Sequence, residues 1–337
     1  MADKNNHHVQ INVKDKFIAA LCGKSGKDYQ EEWANMKVED NLKCSKWEKF
    51  KDATSINRQV LICQLITILY ANITCNDNCL VNVRGIPFFN GNFVKTPNGH
   101  KLFVATQAPT NDSAEAFWQL VTQENITVIV MLCQIFEPNT KEELIQKSTP
   151  YWPINAPLKY KNFEIHVKNV RGQMYADGEE AIMFTKHEIV DGKSKKVIRS
   201  VVHLQHKSWP DFGVPGTTES TMDIYNKFVV PSIEKKQPVL VHCSAGIGRT
   251  GSFIGGFYCY NLFQQGQLVS VENALRTLRK MRAHSVQTAG QYLFVNLILM
   301  QFIENEEHQY NVKEAKDKLQ KLLKILDKKA KKQPKAK

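Results

Sequence analysis

A cysteine and an arginine separated by five residues stand in the run His242-Cys243-Ser244-Ala245-Gly246-Ile247-Gly248-Arg249-Thr250-Gly251. The apolar Pro238-Val239-Leu240-Val241 before it reads as a short buried strand, and residues 253–263 after it read as a helix. A loop that ends at a helix N-terminus presents free backbone N–H groups and the positive end of the helix dipole, and both favour an anion. Its glycines let successive amides curl inward. Arg249 carries a planar fork that can grip two oxygens of a phosphate. The same positive field acts on Cys243. A thiol so placed is expected to ionise well below its free pKa of about 8.5, which leaves a thiolate able to attack phosphorus. The bland alternative, a structural cysteine in a tight turn, does not account for the complete run.

This run resembles the signature loop of the cysteine-dependent protein tyrosine phosphatases. The resemblance implies that Cys243 is the nucleophile and forms a phosphocysteine. It makes Arg249 the phosphate and transition-state clamp, and the backbone of Ser244, Ala245, Gly246, Ile247 and Gly248 the substrate cradle. Thr250 would stabilise the departing thiolate, and His242 would orient the loop and tune the cysteine. Expulsion of an alkoxide or phenoxide also needs a proton, so a general acid should face the cradle from a mobile loop. Trp209-Pro210-Asp211-Phe212-Gly213-Val214-Pro215 matches the family's acid loop, with Asp211 placed 32 residues before Cys243. Asp211 would protonate the leaving oxygen and then take a proton from water, with Trp209 as hinge anchor and Phe212 as a pocket wall. Gln287-Thr288-Ala289-Gly290-Gln291-Tyr292 resembles the family's glutamine loop. There Gln287 would orient the hydrolytic water, with Gln291 nearby. Thr288 and Gln291 also form a capping box before a helix over 292–304.

Further landmarks are Thr106-Gln107-Ala108-Pro109, Ala116-Phe117-Trp118 and Tyr151-Trp152-Pro153. Lys147 and Glu137 occupy the loop from which family members pair a lysine with the acid loop. Arg279 and Arg282 stand where the family holds its cradle from behind with an arginine. The resemblance runs over about residues 70–303. It departs where tyrosine-specific members carry K-N-R-Y-x-D, matched here by Thr67-Ile68-Leu69-Tyr70-Ala71-Asn72. Tyr70 would be the ring-stacking wall, or else an ordinary core aromatic. Asn72 replaces an aspartate, and an amide oxygen accepts backbone N–H bonds less strongly than a carboxylate. Weaker peptide binding with intact chemistry is expected. Phe89-Asn90-Gly91-Asn92-Phe93 replaces the family's Y-I-N-A-N-Y, and Gly255 and Gly256 cost helix propensity after the cradle.

The elements that must position these residues alternate between strand and helix. Residues 101–105, 127–132 and 201–206 read as strands, and 113–123 as a helix. Residues 218–234 show helical periodicity interrupted by Pro231, and 274–282 form a basic amphipathic helix. This is an α/β pattern. The resemblance implies a twisted mixed β-sheet flanked by helices on both sides. Three regions are expected. Residues 1–40 form an N-terminal extension, partly helical or disordered. Residues 41–306 form the catalytic domain. Residues 307–337 form a basic tail, with Leu319, Leu322, Leu323 and Leu326 at helical spacing and a solvated, disordered stretch after Asp327.

Composition narrows the class. The 337 residues carry a formal net charge of +12. Residues 311–337 hold eleven lysines against Glu314, Asp317 and Asp327, so most of the surplus belongs to the tail and gives the domain no nucleic-acid-binding face. That tail suits contact with an acidic membrane, a nuclear-import patch, or simple solubilisation. No run approaches the roughly 18 apolar residues of a membrane span, and 1–10 lack a signal-peptide core, so a cytoplasmic protein is expected. Eight cysteines without disulfide rhythm fit a reducing compartment. No metal or cofactor is expected, because Arg249, the amides and the dipole supply the positive charge. The resemblance, with Cys243 at the base of a pocket given aromatic walls by Tyr70 and Phe212, implies phosphotyrosine in proteins as the substrate. A phosphotyrosine-binding pseudophosphatase is the alternative suggested by the surroundings of Tyr70, and the intact Cys243, Arg249, Asp211 and Gln287 argue against it. A phosphoinositide phosphatase, suggested by the tail, is opposed by a cradle interior without lysine.

Overall fold

The computed structural model describes residues 2–36, 43–45, 48, 73–139, 141–174 and 180–332. Tyr70 and Asn72 lie outside them. An eight-stranded mixed sheet forms the centre, in the order β1-β2-β10-β3-β9-β8-β7-β6. Its middle strands are β2 (Lys101–Thr106), β10 (Val239–His242), β3 (Val128–Met131) and β9 (Val197–His206), which run parallel. Every residue of β3 and β10 is buried, and so is all of β2 after Lys101. Short, nearly continuous apolar runs are what a parallel sheet covered on both faces requires. β1 (Gly91–Lys95) joins one edge antiparallel. On the other side β8 (Glu180–Asp191), β7 (Phe163–Met174) and β6 (Leu158–Lys159) extend the sheet antiparallel from β9. A separate hairpin pairs β4 (Phe136–Pro138) with β5 (Leu144–Gln146).

The four parallel strands all end at the same edge. Thr106, Met131, His206 and His242 are their last residues, and the loops that follow are the candidate functional segments. Open α/β sheets bind ligands beyond the carboxyl ends of their strands. Flanking helices include α3 (Ala114–Gln123), α6 (Arg249–Gln264), α7 (Val271–Met281) and α8 (Ala289–Glu306). Gly255 and Gly256 explain their place in α6. A Cβ on Gly255 would stand 2.8 Å from Leu275 Cδ2, and one on Gly256 would stand 2.6 Å from Ile298 Cγ2. The propensity lost in α6 permits close contact with α7 and α8.

Several expectations change. Of the two alternatives for the N-terminal extension, the described residues take the helical one, with α1 (Ala2–Gly23) and α2 (Gly26–Met36). Phe17, Ile18, Leu21, Tyr29, Trp33 and Met36 join the main core. Pro231 does not interrupt the helical stretch. The segments α4 (Glu219–Ile224) and α5 (Val230–Glu234) are joined by a π-helical turn, Tyr225–Val229. Pro231 falls in the first turn of α5, where a missing N–H is tolerated. The tail stays helical past Asp327, as α9 (Lys313–Lys332). Leu319 is fully buried, and Leu322, Leu323 and Leu326 pack partly against the core. Docking of that leucine face outweighs the lysine-rich composition that suggested disorder.

Candidate active site

The cradle begins at the end of β10, and α6 starts at Arg249, so Arg249 and Thr250 lie in the first helical turn. Cys243 is only 4% exposed. Its Sγ accepts the Gly246 N–H at 3.3 Å. Gly246 has φ +72°, and a Cβ on it would overlap the Thr106 carbonyl oxygen. No other residue type suits both conditions. Neighbouring segments fix the loop from outside. The Ala108 N–H donates to Ser244 O at 2.8 Å, Ser244 Oγ donates to Lys147 O at 2.9 Å, and the Val286 N–H donates to Ile247 O at 3.0 Å.

From behind, Arg282 is the arginine that holds the cradle. It is fully buried just past the end of α7 and donates to Gly246 O and Ala245 O, each at 3.1 Å. Its remaining bonds go to Asn90 Oδ1, Asn92 Oδ1 and Cys75 Sγ. The departed segment around Asn90 and Asn92 therefore supplies acceptors for the cradle's support. Arg279 instead donates to Ser285 O and Val286 O, bracing the turn before Gln287.

Arg249 is 1% exposed and grips Glu137 with both arms, Nη1 to Oε1 at 2.6 Å and Nη2 to Oε2 at 3.0 Å. Nη1 also donates to Trp209 O at 3.2 Å. Burial opposes the guanidinium charge, but Cys243 and Glu137 outweigh it and raise its pKa above the ordinary value. Glu137 thus orients the clamp. Lys147 meets the acid loop, with Nζ 2.8 Å from Asp211 Oδ2. Asp211 Oδ1 lies 3.2 Å from Arg249 Nη2. The acid loop is therefore drawn over the cradle. Two further bonds hold it there: Trp209 Nε1 donates to Gly213 O at 3.2 Å, and Thr288 Oγ1 donates to Phe212 O at 3.1 Å. Phe212 has φ +55° and is 60% exposed, so an aromatic ring is displayed beside the acid. Trp209 is buried against Phe294 and His206, as a hinge anchor requires.

Gln287 reaches the cradle directly, since a Cβ on Gly248 would overlap its Oε1. Gln291 Oε1 accepts the Gln287 N–H at 2.8 Å, and the Gln291 N–H donates to Thr288 Oγ1 at 3.2 Å. Gln291 therefore positions Gln287, and Thr288 is the N-cap of α8. Arg249 Nε, Thr250 Oγ1 and Gln291 Nε2 are buried polar atoms with no partner among the described residues. They leave donors available at the cradle. His242 is fully buried, and burial depresses its pKa to about 4, so the ring is neutral. Its Nδ1 lies 3.0 Å from Cys243 O, and its Nε2 lies 2.7 Å from the Tyr151 hydroxyl.

The geometry assembles a thiol, a guanidinium clamp, an acid and a glutamine from three loops, the cradle supplying the first two. The family model described as protein-tyrosine phosphatase matches residues 68–301. The chain belongs to the protein-tyrosine phosphatase family. It is 29% identical over 247 residues to receptor-type tyrosine-protein phosphatase zeta of Rattus norvegicus, covering 71% of this chain and 10% of that protein. It is 31% identical over 224 residues to tyrosine-protein phosphatase non-receptor type 20 of Rattus norvegicus, covering 65% of this chain and 49% of that protein. The chain thus spans between about a tenth and a half of the curated relatives it matches. The catalytic domain of human protein tyrosine phosphatase non-receptor type 18 has the same fold, with TM-score 0.65 and 23% identity over 82% of this chain and 97% of that one. A second solved chain, from PTPN18 in complex with HER2-pY1248 phosphor-peptides, gives TM-score 0.65 and 25% identity over 82% and 99%.

Sequence reasoning placed Cys243, Arg249, Asp211, Gln287 and the cradle glycines where this phosphatase domain brings them together. It named Tyr151 only within a landmark and did not anticipate its contacts with His242 and His203. No local motif announces a hydrogen bond between residues 52 positions apart.

Proposed function

We propose that this phosphatase hydrolyses phosphotyrosine in proteins through a phosphocysteine. The observation that carries the reading is the convergence on Arg249: Asp211 approaches one arm at 3.2 Å while Cys243 lies at the floor of the same cradle. In the first step the Cys243 thiolate attacks phosphorus and the P–O bond to the phenol breaks. Asp211 supplies the proton that the leaving oxygen takes up. In the second step Gln287 orients a water and Asp211 removes its proton. The P–S bond breaks, and the thiolate returns to the Gly246 amide, with the Thr250 hydroxyl as a further donor. Arg249 and the cradle amides hold the phosphoryl oxygens in both steps. The solved phosphopeptide complex of a relative supports protein phosphotyrosine as the substrate class.

The test is phosphate release from matched phosphotyrosine and phosphoserine peptides without added metal. Tyrosine-selective turnover, abolished in Cys243→Ser and strongly slowed in Asp211→Ala, is expected. Peptide binding without turnover by the wild type would replace this reading with a binding module.

A cytoplasmic location is part of the same proposal, and no helix among the described residues is long and apolar enough to cross a membrane. The exposed Lys321, Lys324 and Lys328 on α9 support an anionic contact, with an acidic membrane or import machinery as the partner. Charge reversal to Glu at these three positions tests it without disturbing the buried leucine face. An unchanged distribution of the tagged protein would refute it.

A further inference from the structure

Behind the nucleophile, three side chains form a hydrogen-bonded series whose polarity can be read from one end. His242 Nδ1 faces Cys243 O at 3.0 Å. A carbonyl only accepts, so Nδ1 carries the proton, and in the neutral ring Nε2 is then an acceptor. The Tyr151 hydroxyl, 2.7 Å from His242 Nε2, must donate to it. A phenol has one proton. The second contact of the same oxygen, 2.7 Å from His203 Nε2, must therefore run the other way, with His203 donating. The series is His203 to Tyr151 to His242 to the Cys243 carbonyl.

The geometry points to His203 as a positioning residue for the nucleophile: through Tyr151 it sets the tautomer and orientation of His242, and so the first peptide of the cradle. The inference rests on the phosphatase reading above. His203 belongs to β9 and His242 to β10, with β3 between them, and Tyr151 follows the β4–β5 hairpin. All three side chains are buried. The opposite His242 tautomer would aim an unprotonated Nδ1 at the Cys243 carbonyl. Two lone pairs would then face each other, and the peptide that carries the nucleophile would turn away. Arg249 apart, the groups that act on the three rings among the described residues are uncharged. His187 on β8 lies 5.6 Å ring to ring from His203, and Trp152 lies 4.9 Å away. Burial, with lesser contributions from His187 and His242, holds His203 neutral. Burial also keeps the Cys133 thiol beside Tyr151 and Cys243 protonated. Arg249 is the one charged group that acts on His242.

Two measurements test the assignment. Histidine ring nitrogens in the labelled wild-type protein, read by NMR, should show Nδ1–H on His242 and Nε2–H on His203. The opposite tautomer on either ring overturns the proposal. The second is the pH profile of Cys243 alkylation by iodoacetamide, with kcat and KM for a phosphotyrosine peptide. His203→Phe keeps the ring but lacks the donor. It should lower kcat about tenfold, the scale of one buried hydrogen bond, with KM nearly unchanged and the alkylation midpoint displaced. His203→Gln keeps an N–H donor and should recover most of both. The pair His203→Phe with Tyr151→Phe should be no worse than Tyr151→Phe alone. Multiplying effects, or an alkylation profile identical to wild type, would exclude the relay. If His203→Phe does not fold, the tautomer measurement decides. Alkylation needs no turnover, so a wild type inert toward phosphopeptides would defeat the phosphatase reading and leave this one tested separately.

Discussion

Gly246 has φ +72° and its Cα lies against the Thr106 carbonyl, so the cradle closes only because that residue has no side chain. In Gly246→Ala the methyl group must displace either β2 or the loop, and the strained φ adds to the cost. A misplacement of about 1 Å at a reacting centre can cost on the order of 100-fold in rate, which is the expected loss here. Circular dichroism should remain native, and phosphopeptide turnover with the folded variant checks the prediction. Native-level activity would mean that the cradle tolerates opening. Glu137 makes a different contribution. Both arms of Arg249 bind it, so the clamp is oriented before any phosphate arrives. Glu137→Gln keeps the shape but removes the charge and one acceptor. Loss of one charged hydrogen bond predicts roughly tenfold weaker binding of vanadate, measured by inhibition. If binding is unchanged, Glu137 does not pre-orient the clamp.

Lys147, on the segment after the β4–β5 hairpin, is the tether that can be cut without touching the cradle's supports. Its Nζ meets Asp211 Oδ2 at 2.8 Å, while Trp209 stays anchored in the core. Lys147→Met retains the stem and removes the charge. We expect the acid loop to open more often, with kcat lowered several-fold and KM little changed, since closure serves the chemical step rather than phosphate capture. Faster hydrogen exchange over residues 210–216 is the direct check; unaltered exchange would show that the contacts to Arg249 and Thr288 hold the loop without the lysine. The legibility of such elements was uneven for physical reasons. Segments around 101–106, 128–131 and 239–242 announced themselves, because fully buried parallel strands need continuous apolar runs. The cradle, acid loop and glutamine loop were readable because their chemistry restricts residue types locally. Arg282 could not be separated from Arg279, since its role depends on Asn90, Asn92 and the cradle carbonyls meeting it in space. Residues 2–36 read as weak helix or disorder, and the tail after Asp327 as disorder, because their polarity is judged locally. Their helices form by laying one apolar face on the domain.

At the scale of the whole molecule, burial holds His187, His203 and His242 neutral, and their protons tie stability to pH. Burial depresses His187 and His242 to about 4 and pushes His203 well below the ordinary value, against an unfolded value of about 6.5. Above pH 6.5 neither the folded nor the unfolded chain protonates these rings. As pH falls below 6.5 the unfolded chain binds protons that the folded one refuses, so folding stability declines toward pH 4 and rises again as pH rises. Each ring contributes up to about 1.4 kcal/mol per pH unit in that window. His187 allows a clean test. It is fully buried, and neither ring nitrogen has a partner among the described residues, so His187→Phe removes a titrating group without breaking a hydrogen bond. Trp118 and His203 contact the ring edge to face, and phenylalanine can keep those contacts. Urea unfolding at pH 7 and pH 5 should show the wild type losing about 2 kcal/mol more than the variant over that interval. Parallel losses would mean that His187 takes up its proton inside the fold. In that case the space around it admits water, and the neutral interior behind the Cys243 cradle ends at His203.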